Sequence, residues 1–156
     1  MEAKEHLLQT ANTLFRSYGI RSVTMDDVAK EAGMSKKTIY IHFEDKNELV
    51  AQLMDFILQN QRAEIEHQMT AAKNAVEEIL QMISCMQRMG SNFNPILFYD
   101  LQKYHPQVWM KFRVFKDEYI FDKVKSNLLK GISEGLYRKE LQVDIIAKMR
   151  IEQVGI

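Results

Sequence analysis

The sequence predicts an all-α fold, and three observations carry that prediction. Helix breakers are scarce, with six glycines and two prolines in 156 residues. Apolar residues recur at steps of three and four along most of the chain, the period of a helix face. The one stretch with some strand-like alternation, Leu136 to Val143, is short and flanked by helical pattern.

The elements follow in order. Leu7, Leu8, Ala11, Leu14, Phe15 and Tyr18 lie on one helical face, and Gly19 stands where a left-handed C-cap would close it. Thr24-Met25-Asp26-Asp27 reads as a capping box with Asp in the Glu/Gln place, opening a short helix through Ala32. Gly33 breaks that helix, and Ser35 is the N-cap candidate of the next, Lys36 to His42. Asp45-Lys46-Asn47-Glu48 opens a long helix that carries Leu49, Leu53, Phe56 and Ile57 on one face to about Met69. Val76, Ile79, Leu80 and Ile83 form a further stripe, ended by Gly90 and a polar loop over 91–94. Pro95 and Pro106 sit where first-turn prolines start helices. The second of these runs through Trp109, Phe112, Phe115, Tyr119 and Leu128 to Gly131, with Gly135 a further break. Val143, Ile146, Ala147 and Ile151 suggest one more helix near the chain end.

Composition excludes several classes. A single cysteine, Cys85, forms no intrachain disulfide and no cysteine zinc site, and fits a reducing, cytoplasmic setting. No window holds the ~18 successive apolar residues of a membrane span, so no membrane partner is expected. Basic and acidic side chains number 21 each, which removes the easiest argument for a nucleic-acid partner. The balance persists over residues 1–46, seven against seven, yet residues 33–43 hold Lys36 and Lys37 and no acid. From Lys103 to Lys130 seven basic residues face three acidic ones, which reads as a solvated helix face.

The unit helix, Ala32-Gly33-Met34-Ser35, helix has the spacing of a helix-turn-helix. Such a unit lays its second helix in the DNA major groove while the first braces it. At about 100° per residue from Lys37, Ile39 and Phe43 fall together at about 200–240° and face inward. Lys37, Thr38, Tyr40 and Ile41 share the outward face, with His42 at its margin. An isoleucine there is costly unless something such as a thymine methyl covers it.

Thr24, Asp27-Val28-Ala29, Glu31-Ala32-Gly33, Ser35-Lys36, Thr38-Ile39-Tyr40, His42-Phe43, Lys46 and Glu48-Leu49 together resemble the N-terminal signature of the tetracycline-repressor (TetR) family of bacterial transcription regulators. The Ala11, Leu14-Phe15, Gly19 pattern agrees, and the match is dense over about residues 7–50. The resemblance implies an all-α homodimer with a DNA-binding head over 1–46. A helical ligand-binding and dimerisation domain over 47–156 would follow, expected to be incomplete at its C-terminus. It further implies a repressor on a near-palindromic operator, released by a small-molecule effector, with no cofactor. An activator of the same fold is the alternative.

Roles follow for individual residues. Lys37, Thr38 and Ile41 are candidates for base edges. Tyr40, His42, Lys36 and Lys46 are candidates for phosphates, and Thr24 for a cap or a phosphate contact. Phe98, Tyr99, Trp109, Met110, Phe112 and Cys85 are candidates to line an apolar effector pocket, though ordinary core explains any one of them. Glu64-x-x-His67 has the form of half a di-iron motif, but only one copy occurs, so a solvated face is the better reading and no metal is expected. No phosphate loop and no nucleophile element is present, so the chain reads as no enzyme; a small-molecule carrier or carboxylate-bundle enzyme is the rival class.

Overall fold

The computed structural model describes residues 2–90 and 95–153. The loop expected over 91–94 lies outside them. Among the described residues the chain is helical with no strand. The elements are α1 (Ala3–Tyr18), α2 (Met25–Glu31), α3 (Lys36–His42), α4 (Lys46–Ala71), α5 (Ala75–Gly90), α6 (Pro95–Tyr104), α7 (Pro106–Val114), α8 (Phe121–Ser133) and α9 (Val143–Gln153). Between α7 and α8 the helix continues as a π-helical stretch, Phe115–Ile120.

The chain divides into two compact units. The first holds residues 1–59 and 92–111, and the second residues 60–91 and 112–156.

The first unit is built around α1, against which α2, α3 and α6 pack. Leu7, Ala11 and Phe15 of α1, Val28 of α2, Ile39 of α3 with Phe43 at its C-cap, and Leu49 of α4 are all buried. Burial of a large apolar side chain stabilises by roughly 1.5–3 kcal/mol, so this cluster fixes the angles between the short helices. The ends are set by caps. Thr24 accepts the Asp27 amide while Asp27 accepts the Thr24 amide, the reciprocal box. Ser35 accepts the Thr38 amide at 3.1 Å. Asp45 accepts the Glu48 amide at 2.9 Å, while Glu48 reaches back to the Glu44 amide rather than that of Asp45.

Two expectations for α1 need correction. Tyr18 is 62% exposed and does not join the buried face. Gly19 is not a left-handed cap: its φ of 81° and ψ of 161° lie in a region essentially restricted to glycine. A Cβ there would stand 2.7 Å from Ile96 Cγ2 and 3.0 Å from Asp100 Oδ2, so α6 approaches the backbone at this point.

The second unit gathers the end of α4, α5, the π-helical stretch, α8 and α9. At its centre, Asn127 of α8 donates to the Ala75 carbonyl at 2.8 Å and to Glu78 at 3.1 Å. Glu78 also accepts from Lys130 at 2.5 Å. Residues 136–142 form turns rather than a strand. The π-helical stretch is a departure from the uninterrupted helix expected there. It buries Phe115 and Lys116 side by side, and Phe115 stacks on Tyr119 with centroids 5.2 Å apart.

Candidate nucleic-acid interface

The turn between α2 and α3 is made by backbone chemistry that the sequence requires. Gly33 has φ +67°. Its amide donates to the Lys30 carbonyl at 3.0 Å, and the Met34 amide to the Ala29 carbonyl at 2.8 Å. These two bonds close α2 in a Schellman motif, with glycine at the left-handed position. A Cβ at Gly33 would meet nothing within 4 Å, so only the backbone angle selects glycine. His6 of α1 pins the turn, with Nε2 3.3 Å from the Ala32 carbonyl, and therefore donates from that nitrogen.

With the turn fixed, α3 presents the face that the helical wheel describes. Ile39 and Phe43 point inward, fully buried. Ile41 is 70% exposed and Tyr40 45%. Lys37 is exposed on the same face and has no carboxylate partner among the described residues. Thr38 is half-buried, its hydroxyl 2.8 Å from that of Ser35. His42 is half-buried beside Phe43. The outward face thus offers a cation, hydroxyls, a phenol and an unsupported aliphatic side chain.

The other candidates are more constrained. Lys36 is exposed but bonded to Asp26 of α2 at 3.0 Å. That carboxylate raises the lysine's pKa and partly cancels its charge. The segment free of acids in sequence is therefore not free of them in space. The Thr24 hydroxyl donates to Asp27 at 2.7 Å. Those bonds from Thr24 hold the Asp27 carboxyl below its usual range. Lys46 is half-buried, and its ammonium reaches the Arg21 carbonyl at 3.4 Å. Burial lowers its pKa, opposed by Asp100 and Asp27.

Sequence reasoning missed how α6 is fastened to the loop after α1. Asp100, buried, accepts the Arg21 amide at 2.9 Å. The Arg21 guanidinium donates to the Tyr104 hydroxyl at 3.1 Å and lies over its ring. These partners are about eighty positions apart, and no periodicity connects them.

Residues 7–53 match the family model described as bacterial regulatory proteins, tetR family. Over that segment the chain matches the tetR family. Over 98 residues it is 30% identical to the HTH-type transcriptional regulator YvaF of Bacillus subtilis, an alignment covering 62% of this chain and 52% of YvaF. The chain thus spans about half the length of that relative. It is 27% identical to the HTH-type transcriptional repressor KstR2 of Mycobacterium tuberculosis over 90% of this chain and 72% of that one. Among solved structures it superposes on the transcriptional regulator FadR of Bacillus subtilis, in complex with stearoyl-CoA, with a TM-score of 0.75. The identity there is 18%, over 96% of this chain and 82% of that one. That likeness shows that the two share a fold along nearly the whole chain.

The six residues expected to line an effector pocket are divided between the two units. Phe98, Tyr99, Trp109 and Met110 belong to the first unit, and Cys85 and Phe112 to the second. Phe98 and Trp109 meet edge to face at 5.9 Å, while Tyr99 and Met110 are 54% and 59% exposed. Cys85 is buried, and burial pushes its thiol up to about 11. A cleft of about 550 Å³ opens elsewhere in the second unit, between α5, α8, α9 and the turns at 136–142. Its walls include Val76, Leu80, Leu128 and Ile146, and its polar groups Asn127, Tyr137 and Arg150. The Glu64-x-x-His67 carboxylate is already taken, by Arg88 at 2.6 Å and Gln68 at 3.1 Å. Among the described residues no helix is long and apolar enough to cross a membrane.

Proposed function

We propose that this chain is a sequence-specific DNA-binding transcription regulator: a repressor that acts in the cytoplasm as a homodimer on a near-palindromic operator. The observation that carries the reading is the outward face of α3. There Ile41 stands 70% exposed beside Lys37, Thr38 and Tyr40 on a helix whose other face is locked into the core. An exposed isoleucine between hydrogen-bonding groups suits a thymine methyl in the major groove, and Lys37 suits guanine acceptors. Tyr40 and Lys36 serve as phosphate contacts at the margins, Lys36 by exchanging Asp26 for a phosphate.

In the same reading residues 1–46 are the DNA-binding head and the rest is the part that dimerises and takes an effector. The cleft of the second unit supports effector binding, because apolar walls with a few polar groups are the usual form of a small-molecule site. The stearoyl-CoA complex of the FadR neighbour lends support to the same idea.

The test is a gel shift against duplexes enriched by the protein from a random-sequence pool, and against the promoter beside its own gene. Lys37→Ala and Tyr40→Phe should weaken a specific shift, the first by about 1–3 kcal/mol at the base it reads. A specific shift left unchanged by both variants refutes the residue assignment. No specific shift with any duplex refutes the regulator.

A further inference from the structure

Outside α3, the described residues hold a second exposed cationic cluster, on the outer side of α6 and the loop after α1. Its members are Arg21, Tyr99, Lys103 and Tyr104. The Lys103 ammonium donates to the Tyr99 hydroxyl at 2.8 Å and lies 5.2 and 5.4 Å from the centroids of the Tyr99 and Tyr104 rings. The Arg21 guanidinium donates to the Tyr104 hydroxyl at 3.1 Å and lies 5.5 Å from the same ring centroid. Several other exposed cations are paired with carboxylates, as Lys36 with Asp26, Lys111 with Asp55 and Arg113 with Asp117. Arg21 and Lys103 instead meet neutral phenols. The nearby acid, Asp100, is buried and accepts the Arg21 backbone amide rather than the guanidinium.

That chemistry leaves charge and donors to spare. Each phenol accepts one bond and keeps its own O–H to donate. Arg21 keeps most of its guanidinium N–H groups, and Lys103 keeps the rest of its ammonium protons. Four donor groups, two of them cations packed over aromatic rings, match phosphate oxygens, which take bidentate arginine and point-charge lysine together. The cluster is also in the right place. Arg21 lies three residues before Thr24, the cap of α2, and its carbonyl holds Lys46 at the start of α4. The row of candidate phosphate contacts at Thr24 and Lys46 therefore continues into it.

We infer that Arg21, Lys103, Tyr99 and Tyr104 form a phosphate-binding extension of the DNA interface, which grips the sugar–phosphate backbone beyond the bases read by α3. This rests on the DNA-binding reading above. The extension adds affinity without sequence information, as backbone contacts do.

The experiment compares two duplexes: a core sequence enriched from a random pool by the full chain, and the same core lengthened by about half a helical turn, ~5 bp, on each side. Affinity is measured from about 50 to 200 mM salt, the range over which phosphate contacts express themselves. The wild-type chain binds the longer duplex more tightly. Arg21→Gln/Lys103→Gln loses that advantage, and its plot of log K against log salt is shallower by about 0.9 for each contact removed, roughly threefold in affinity per contact across the range. Arg21→Lys, which keeps the charge, retains most of the slope. Thermal unfolding is followed in parallel, because a patch that only docks α6 would shift the midpoint and leave the salt slope alone. An unchanged slope and flank advantage in the double variant overturns the inference, as does a wild-type chain indifferent to flank length. If the wild-type chain enriches no sequence and binds no duplex, the regulator reading itself falls and this inference falls with it.

Discussion

Gly19→Ala offers a sharp test of how α6 is seated. Two separate costs meet at this position. The backbone stands at φ +81°, ψ 161°, where a side chain costs about 1–3 kcal/mol. The new Cβ also stands 2.7 Å from Ile96 Cγ2 and 3.0 Å from Asp100 Oδ2. Neither neighbour yields easily. Isoleucine is stiff at χ1, and Asp100 is held by the Arg21 amide at 2.9 Å. Overpacking of this kind adds about 1–3 kcal/mol, so the total is about 2–6 kcal/mol. Gly33→Ala is the control: its φ is +67° but its Cβ meets nothing within 4 Å, so only the backbone cost of about 1–2 kcal/mol applies. Urea unfolding of both variants separates the terms. Ile96→Ala, at a position 53% exposed, costs little alone and should return part of the Gly19→Ala loss in the double variant. Equal losses at the two glycines, or no coupling between Gly19 and Ile96 beyond about 0.5 kcal/mol, would refute the close approach of α6.

Three other outcomes can be checked at the bench. Thr24→Ala removes one half of the capping box of α2 and should cost about 1 kcal/mol in urea unfolding, with Thr24→Ser restoring most of it. His105 is held below its ordinary value near 6.5 by burial first and the Lys46 ammonium second, with Asp100 opposing. The folded state therefore prefers the neutral ring. The stability this contributes is present above the ordinary imidazole value and is lost as pH falls through it toward the lower folded value. His105→Gln should flatten the pH dependence of the unfolding midpoint in that window; an unchanged profile counts against the assignment. Cys85, buried and pushed up to about 11, should react with iodoacetamide at pH 8 only at the rate of unfolding. Rapid labelling of the native chain would show an accessible thiolate.

What was legible in the sequence was whatever is local. The caps at Thr24, Ser35 and Asp45 act over three residues, and each was readable from spacing. The orientation of α3 followed from its own period, because Ile39 and Phe43 must share a side whatever they pack against. Gly33 announced a turn for the reason the structure gives, a positive φ. Other features were illegible because they join distant segments. Nothing near Asp26 marks it as the partner of Lys36, ten positions away across the turn. Nothing in α6 marks Asp100 and Tyr104 as the partners of Arg21. Gly19 was assigned the commonest conformation of a closing glycine, and the approach of Ile96 made it a rarer one. The aromatic residues after Phe98 gave apolar content without geometry, so the set could not foretell its own division between the two units. The π-helical stretch at Phe115–Ile120 has no marker in composition or period.

The charge balance has a consequence that can be measured. With 21 basic and 21 acidic side chains the chain has little general attraction for DNA. Pairing reduces the attraction of the head further: Asp26 opposes Lys36, while Asp27 and Asp100 lie close to Lys46. On α3 the unopposed cation is Lys37. If Lys37 is the one α3 cation that displaces counterions from the duplex in each half of a dimer, log K should fall against log salt with a slope of about −2. With Arg21 and Lys103 also engaged the slope is about −5. Breaking the Lys36–Asp26 pair by Asp26→Asn releases a further cation, and should steepen the slope and strengthen binding to unselected DNA. A slope indifferent to Asp26 would mean that Lys36 faces away from the duplex, so that the specific contacts of α3, rather than its charge, carry the affinity.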